Sequence, residues 1–145
     1  MNSLVKIIYK NQLIAFIIKV NFRKKGSHFF TSHEFPQQLA YMHWPKGHII
    51  NSHLHPPVEK RIRATQEVIL VKSGRLRIDF YNNRGSYIES RILDKGDLVF
   101  IACGGHGFEF LKKGEIIEIK QGPFSEDNPS VKFEAVIKDK VKLKK

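Results

Sequence analysis

Apolar and polar positions alternate with period two along most of the chain, in short runs broken by glycine, proline and asparagine. Leu4 to Tyr9 and Leu13 to Val20 read as two strands of a hairpin turning at Lys10-Asn11-Gln12. Ser32 to Leu39 has room for one helical turn, with Ser32 as cap and Pro36 limiting its length. Leu39 to Trp44 and His48 to His55 read as short strands on either side of Pro45-Lys46-Gly47. Glu67 to Lys72 is a compact apolar strand, turned by Ser73-Gly74. Leu76, Ile78 and Phe80 then alternate with Arg75, Arg77, Asp79 and Tyr81, the mark of a half-buried strand. Asn82 to Gly85 is a strong turn signal, and Tyr87 to Leu93 runs back. Leu98 to Ile101, Gly107 to Leu111 and Glu115 to Lys120 follow, then a last apolar stretch from Val131 to Ile137. So many short strands, with almost no helical period, predict an all-β sandwich or barrel. A small closed barrel has a mouth where a metal or small ligand can sit.

Length sharpens this picture. At 145 residues the chain is the size of one domain and needs no disulfide to fold. We read residues 1–137 as that domain and 138–145 as a basic, mobile tail. The one cysteine, Cys103, rules out an intrachain disulfide and suits a reducing compartment. The early apolar run from Leu13 to Ile18 is far short of the ~20 residues of a membrane helix. Lys19 interrupts it and no cleavage pattern follows, so the expected location is the cytoplasm, with no membrane partner. The net charge of +11 raises the question of nucleic acid. The excess is spread out, and the C-terminal cluster of five lysines and one aspartate has no interleaved aromatics. A nucleic-acid partner is therefore disfavoured.

Candidate chemistry lies with the seven histidines. His53 and His55 are two apart, so on a strand both project from one face and can grip one metal ion. Glu67 heads an otherwise apolar strand and offers an anionic third ligand. His106 follows Gly104-Gly105, where glycines let the backbone come close and set the direction of the imidazole. Three imidazoles and a carboxylate suit Fe, Mn, Ni, Zn or Cu, with open positions for substrate or dioxygen. Donor type does not choose among these metals. Arg77 and Arg91 alternate with apolar neighbours, so one barrel face would hold both toward an anionic substrate. Tyr41 and His43 are further candidates for substrate contact.

From Gly47 to Lys120 the chain resembles the cupins. Their first motif has the form G-x5-H-x-H-x3,4-E-x6-G, and their second G-x5-P-x-G-x2-H-x3-N. Five residues separate Gly47 from His53-Leu54-His55, six separate Glu67 from Gly74, and the second motif begins at Gly96-Asp97. The stretches TQEVILVKSGRLRIDFY, GGHGFEF and EIKQGPF are similar to a group of small bacterial cupins associated with surface-polysaccharide and sugar metabolism. The resemblance implies a double-stranded β-helix (a jelly-roll barrel), here with an extra N-terminal hairpin, and one divalent metal on His53, His55, Glu67 and His106. Three departures stand out. Eleven residues separate His55 from Glu67, and Glu59 lies at the family's nominal spacing, so Glu59 and Glu67 compete for the carboxylate role. Ala102 replaces the second motif's proline. His106 comes one residue early, which would turn it outward unless a bulge at Gly104-Gly105 restores it.

The expected function is metal-dependent catalysis on a small, sugar-derived or anionic substrate, by a dioxygenase or an isomerase/epimerase. A non-catalytic metal- or ligand-binding module is the alternative, since fold does not settle activity. A metal-free sugar-nucleotide isomerase type is the third, with histidines as acid and base. Exposed sheet edges and the N-terminal hairpin suggest a homodimer.

Overall fold

The computed structural model describes residues 3–59, 61–123, 126–127 and 129–144. These residues divide between two compact units. The larger comprises residues 1–22 with 64–145, and the smaller residues 23–63. Both are built from strands alone, apart from one 3₁₀ turn at Lys138–Lys140. Among the described residues no helix is long and apolar enough to cross a membrane.

In the larger unit β1 (Leu4–Tyr9) and β2 (Gln12–Ile18) form the expected hairpin. Its two turn residues, Lys10 and Asn11, both have positive φ (48° and 63°), the conformation that matches the twist of the flanking strands. The smaller unit holds β3 (Gly26–Phe29) and β4 (Ala40–His43), an antiparallel pair. The segment from Ser32 makes a turn closed by Phe35 N–H to Ser32 O, not a helix, because Pro36 stops the turn from propagating.

The larger unit continues with β5 (Glu67–Tyr81), β6 (Tyr87–Asp94), β7 (Leu98–Ile101) and β8 (Gly105–Lys120). The turn expected at Ser73-Gly74 is a bend inside one 15-residue strand. Lys113-Gly114 does the same inside β8, which is 16 residues long. Glycine signals mark both places, but the neighbouring strand runs on through them. The two bends meet. A Cβ on Gly74 would lie 2.5 Å from Lys113 O, and one on Gly114 would lie 2.4 Å from Ser73 O. The β5–β8 register shifts three times between Val71 and Leu76.

This bent ribbon shapes the fold. The first arm of β5 lies between β7 and β8, and its second arm between β6 and β8. His106 pairs with Phe80, thirteen residues along β5 from Glu67, which a flat strand would place about 43 Å away at ~3.3 Å per residue. Yet the His106 and Glu67 side chains are 3.1 Å apart. The antiparallel sheet therefore curls back on itself as a half-barrel. Its inner side holds the core of Ile69, Val71, Leu76, Ile78, Phe80, Leu93, Val99 and Ile101, with Ile7, Ile14 and Ile17 from the hairpin.

Two ties fix the ends. Asp97, 1 % exposed, accepts from Val20 N–H and Asp94 N–H and pairs with Lys19, joining the hairpin to the β6–β7 turn. The C-terminal segment runs beside β6. Ser90 N–H donates to Lys142 O, and Lys144 N–H donates to Ser90 O. Val131 to Ile137 forms no strand, but Phe133 packs edge-on against Tyr81.

Candidate functional site

The four expected metal ligands fall into two pairs, each brought together within its own unit. In the larger unit Glu67 and His106 are both mostly buried, and His106 Nε2 donates to Glu67 Oε2. This hydrogen bond holds the Glu67 carboxyl below its ordinary range. Burial opposes it, while the charges of His106 and Lys120 add to it. His106 faces the same side as Phe108, which packs on the core, and the two rings sit edge-on at 5.3 Å. It reaches that face with no bulge at the glycine pair. Gly104 instead takes φ +80° where a Cβ would lie 2.3 Å from Tyr81 O, so β8 starts in step with β5.

In the smaller unit His53 and His55 lie with ring centroids 5.1 Å apart and planes at 77°. They are on no strand: residues 44–59 form none, and the strand expected from His48 to His55 is absent. Its apolar residues Ile49, Ile50 and Leu54 are 79, 58 and 92 % exposed, so alternation there has no face to bury. His53 Nδ1 bonds to Asn51 O at 2.8 Å. A carbonyl only accepts, so Nδ1 carries a proton, and the neutral ring would present the Nε2 lone pair that a metal ligand needs. Glu59, the rival carboxylate, is exposed in the same segment. Also in this unit, Tyr41 and His43 project from β4 with rings 6.5 Å apart, and Trp44 stacks on His48 at 4.0 Å.

In kind, these donors fit a divalent transition ion. In number, each pair gives two, whereas a catalytic zinc-type site takes three protein ligands and a closed one four. Among the described residues no three His, Cys, Asp or Glu side chains are gathered to hold a metal. Neither pair is a metal site by itself.

The arginines do not share a face. Arg91 pairs with Ile78, and Arg77 pairs with Ile92, one residue out of step. Opposed residues project to the same side, so Arg91 joins Ile78 and Phe80 on the inner face and Arg77 points the other way. Arg77 is held by Asp79 (2.8 Å) and Glu109 (2.6 Å). Asp79 in turn accepts from Ser90 Oγ, and these partners take Arg77 away from the inner face. Arg91 bonds Glu89 at 2.6 Å, and Glu89 opposes Phe80 on the inner face. Lys144 also reaches Glu89.

Two residues that sequence reasoning passed over lie next to the Glu67–His106 pair. Lys120 is the register partner of Glu67, and Gln121 follows it. The alternation of Glu118 and Lys120 with Ile117 and Ile119 held the signal for Lys120. A groove of about 620 Å³ between Tyr81, Tyr87 and residues 134–142 contains none of the predicted site residues. No protein-family model, curated protein or solved structure matches the chain.

Proposed function

We propose that this chain is a metal-binding cupin, a jelly-roll barrel with an added N-terminal hairpin, in which His53, His55, Glu67 and His106 hold one divalent transition metal. The reading extends to an enzyme acting on a small molecule, and to a homodimer, because β1 and β8 each have one strand neighbour. The Glu67–His106 contact carries it. Two residues far apart in sequence, both expected as ligands, meet in a mostly buried place at 3.1 Å. The hydrogen bond from His53 Nδ1 to Asn51 O supports it as well, since it engages Nδ1 and leaves Nε2 as the donor atom of the neutral ring.

In this reading Glu67 supplies the negative charge that partly neutralises the ion, and the imidazoles supply neutral donors. A bound ion would add Lewis acidity, or redox chemistry if it is iron or copper. His106 and Glu67 must exchange their mutual hydrogen bond for bonds to the metal. That same hydrogen bond favours a second reading, in which the pair works without metal as acid and base.

Metal analysis of the purified protein separates the two. The expected result is close to one equivalent of Fe, Mn, Ni, Zn or Cu per chain, lost in His53→Ala and Glu67→Ala and kept in Glu59→Ala. Trp44, the chain's single tryptophan, stacks on His48 and gives a second readout, through fluorescence quenching by Cu(II) or Ni(II). Protein that purifies free of metal, and that gains no thermal stability from any of the five ions, refutes the metal reading and leaves the acid–base pair.

A further inference from the structure

Tyr81 at the end of β5 and Tyr87 at the start of β6 are register partners, with rings 5.7 Å apart. Each hydroxyl holds the C-terminal segment. Val136 N–H donates to Tyr81 Oη at 3.0 Å, and Lys142 N–H donates to Tyr87 Oη at 2.7 Å. The groove of about 620 Å³ lies between these rings and residues 134–142. That volume falls within the roughly 300–1,000 Å³ of small-molecule sites. None of the expected metal ligands lines it.

The two hydroxyls differ in what they have left to give. A phenol has one proton to donate. Ser90 Oγ gives its own proton to Asp79, so in the 2.7 Å contact between Tyr87 and Ser90 the phenol is the donor. Tyr87 is thereby fully used. Tyr81 accepts from Val136 N–H, but its own proton meets no acceptor among the described residues. The residue is 3 % exposed, and burial pushes its pKa up against the opposing effect of Val136 N–H, so it stays a phenol. Phe133 packs edge-on against its ring at 4.9 Å. The hydroxyl stands at the groove, because Val136, which it holds, lines the groove as Tyr81 does. A buried donor left unmade is costly, and here there is open space beside it for an acceptor.

The lining indicates what carries that acceptor. Val136, Ile137 and Val141 join the two tyrosine rings, so a ligand's body meets mostly apolar surface. The charged residues cancel, Glu134 and Asp139 against Lys140 and Lys142, so the groove exerts no net pull on an ion. We propose that this groove binds an uncharged, largely apolar small molecule whose one acceptor oxygen takes the Tyr81 proton. The site is separate from any bound metal.

The test follows the methyl NMR signals of Val136, Ile137 and Val141 during titration with acetophenone, ethylbenzene and benzoate. The first two probes share a body and differ in the acceptor oxygen. Acetophenone should give saturable shifts and bind roughly three- to tenfold more tightly than ethylbenzene, the worth of one net hydrogen bond. Tyr81→Phe should erase that preference. Ala135→Trp fills the groove from an exposed lining position, keeps Tyr81, and should abolish the shifts without moving the unfolding midpoint. Equal affinity for acetophenone and ethylbenzene in the unaltered protein overturns the proposal, whether or not Tyr81→Phe folds. Tighter binding of benzoate assigns an anion site and overturns it too. Silence with all three probes, or shifts that persist in Ala135→Trp, shows that the groove takes only water or that the probes bind elsewhere, and either result ends the proposal.

Discussion

Replacing Asp97 tests the tie that holds the hairpin to the half-barrel. The carboxylate is 1 % exposed and accepts from Val20 N–H and Asp94 N–H at 2.8 Å each. Lys19 Nζ bonds it too, and also donates to Ile92 O at 3.0 Å. Asp97→Ala leaves two backbone donors and an ammonium without their acceptor. A buried donor left unpaired costs about 1–3 kcal/mol, and two backbone donors lose their acceptor here. The expected loss is therefore about 3–5 kcal/mol, a large part of the roughly 5–15 kcal/mol that stabilises a small domain. Asp97→Asn retains one acceptor oxygen and should lose about half as much. Lys19→Met should lose less still, about 1 kcal/mol, because the lysine side chain is 30 % exposed and both backbone bonds survive. Urea unfolding followed by far-UV circular dichroism gives the order. A loss below 1 kcal/mol in Asp97→Ala, or one in Lys19→Met as large, would refute the reasoning: the carboxylate would then not be bridging the two elements.

Two further outcomes follow from local geometry. Cys103 is partly buried, its Sγ donates to Leu13 O at 3.2 Å, and burial pushes its thiol pKa up. It should react with a disulfide reagent at pH 8 at least about tenfold more slowly in the native protein than in urea, and equal rates would show the thiol to be open. Gly114→Ala should separate Glu67 from His106, detected as a changed His106 imidazole NMR signal, because its Cβ would lie 2.4 Å from Ser73 O. Gly107→Ala is the control: nothing lies within 4 Å of its Cβ, so the His106 signal should stay in place.

Strand alternation was readable where a strand buries one face against a partner. Leu98–Ile101 has the bounds that the pattern predicts, and β6 differs by a single residue. The failures share a cause. Ser73-Gly74 and Lys113-Gly114 have turn composition, but whether a glycine turns or bends a strand depends on the neighbouring strand. The faces of Arg77 and Arg91 depend likewise on register. Alternation says only that neighbours differ, not which residue of β5 opposes which of β6. β3, with its Gly-Ser-His-Phe sequence and two exposed positions, has too little apolar content to stand out. His48 to His55 erred in the other direction, with good alternation but no surface that buries it.

The site follows the same division. Glu67 was identifiable by its distance from Gly74 and His106 by the glycine pair just before it, although His106 comes one residue early. Their meeting was not, because it depends on the bend that Gly74 and Gly114 share. Without that bend the two would lie at opposite ends of a long ladder. The glycines that flank the candidate ligands are therefore also part of the mechanism that assembles them. Gly74 both ends the motif spacing from Glu67 and lets β5 curl until Glu67 reaches the start of β8. A substitution at either bend should thus disturb the Glu67–His106 pair before it disturbs the row of Leu76, Ile78 and Phe80, which lies within the second arm of β5.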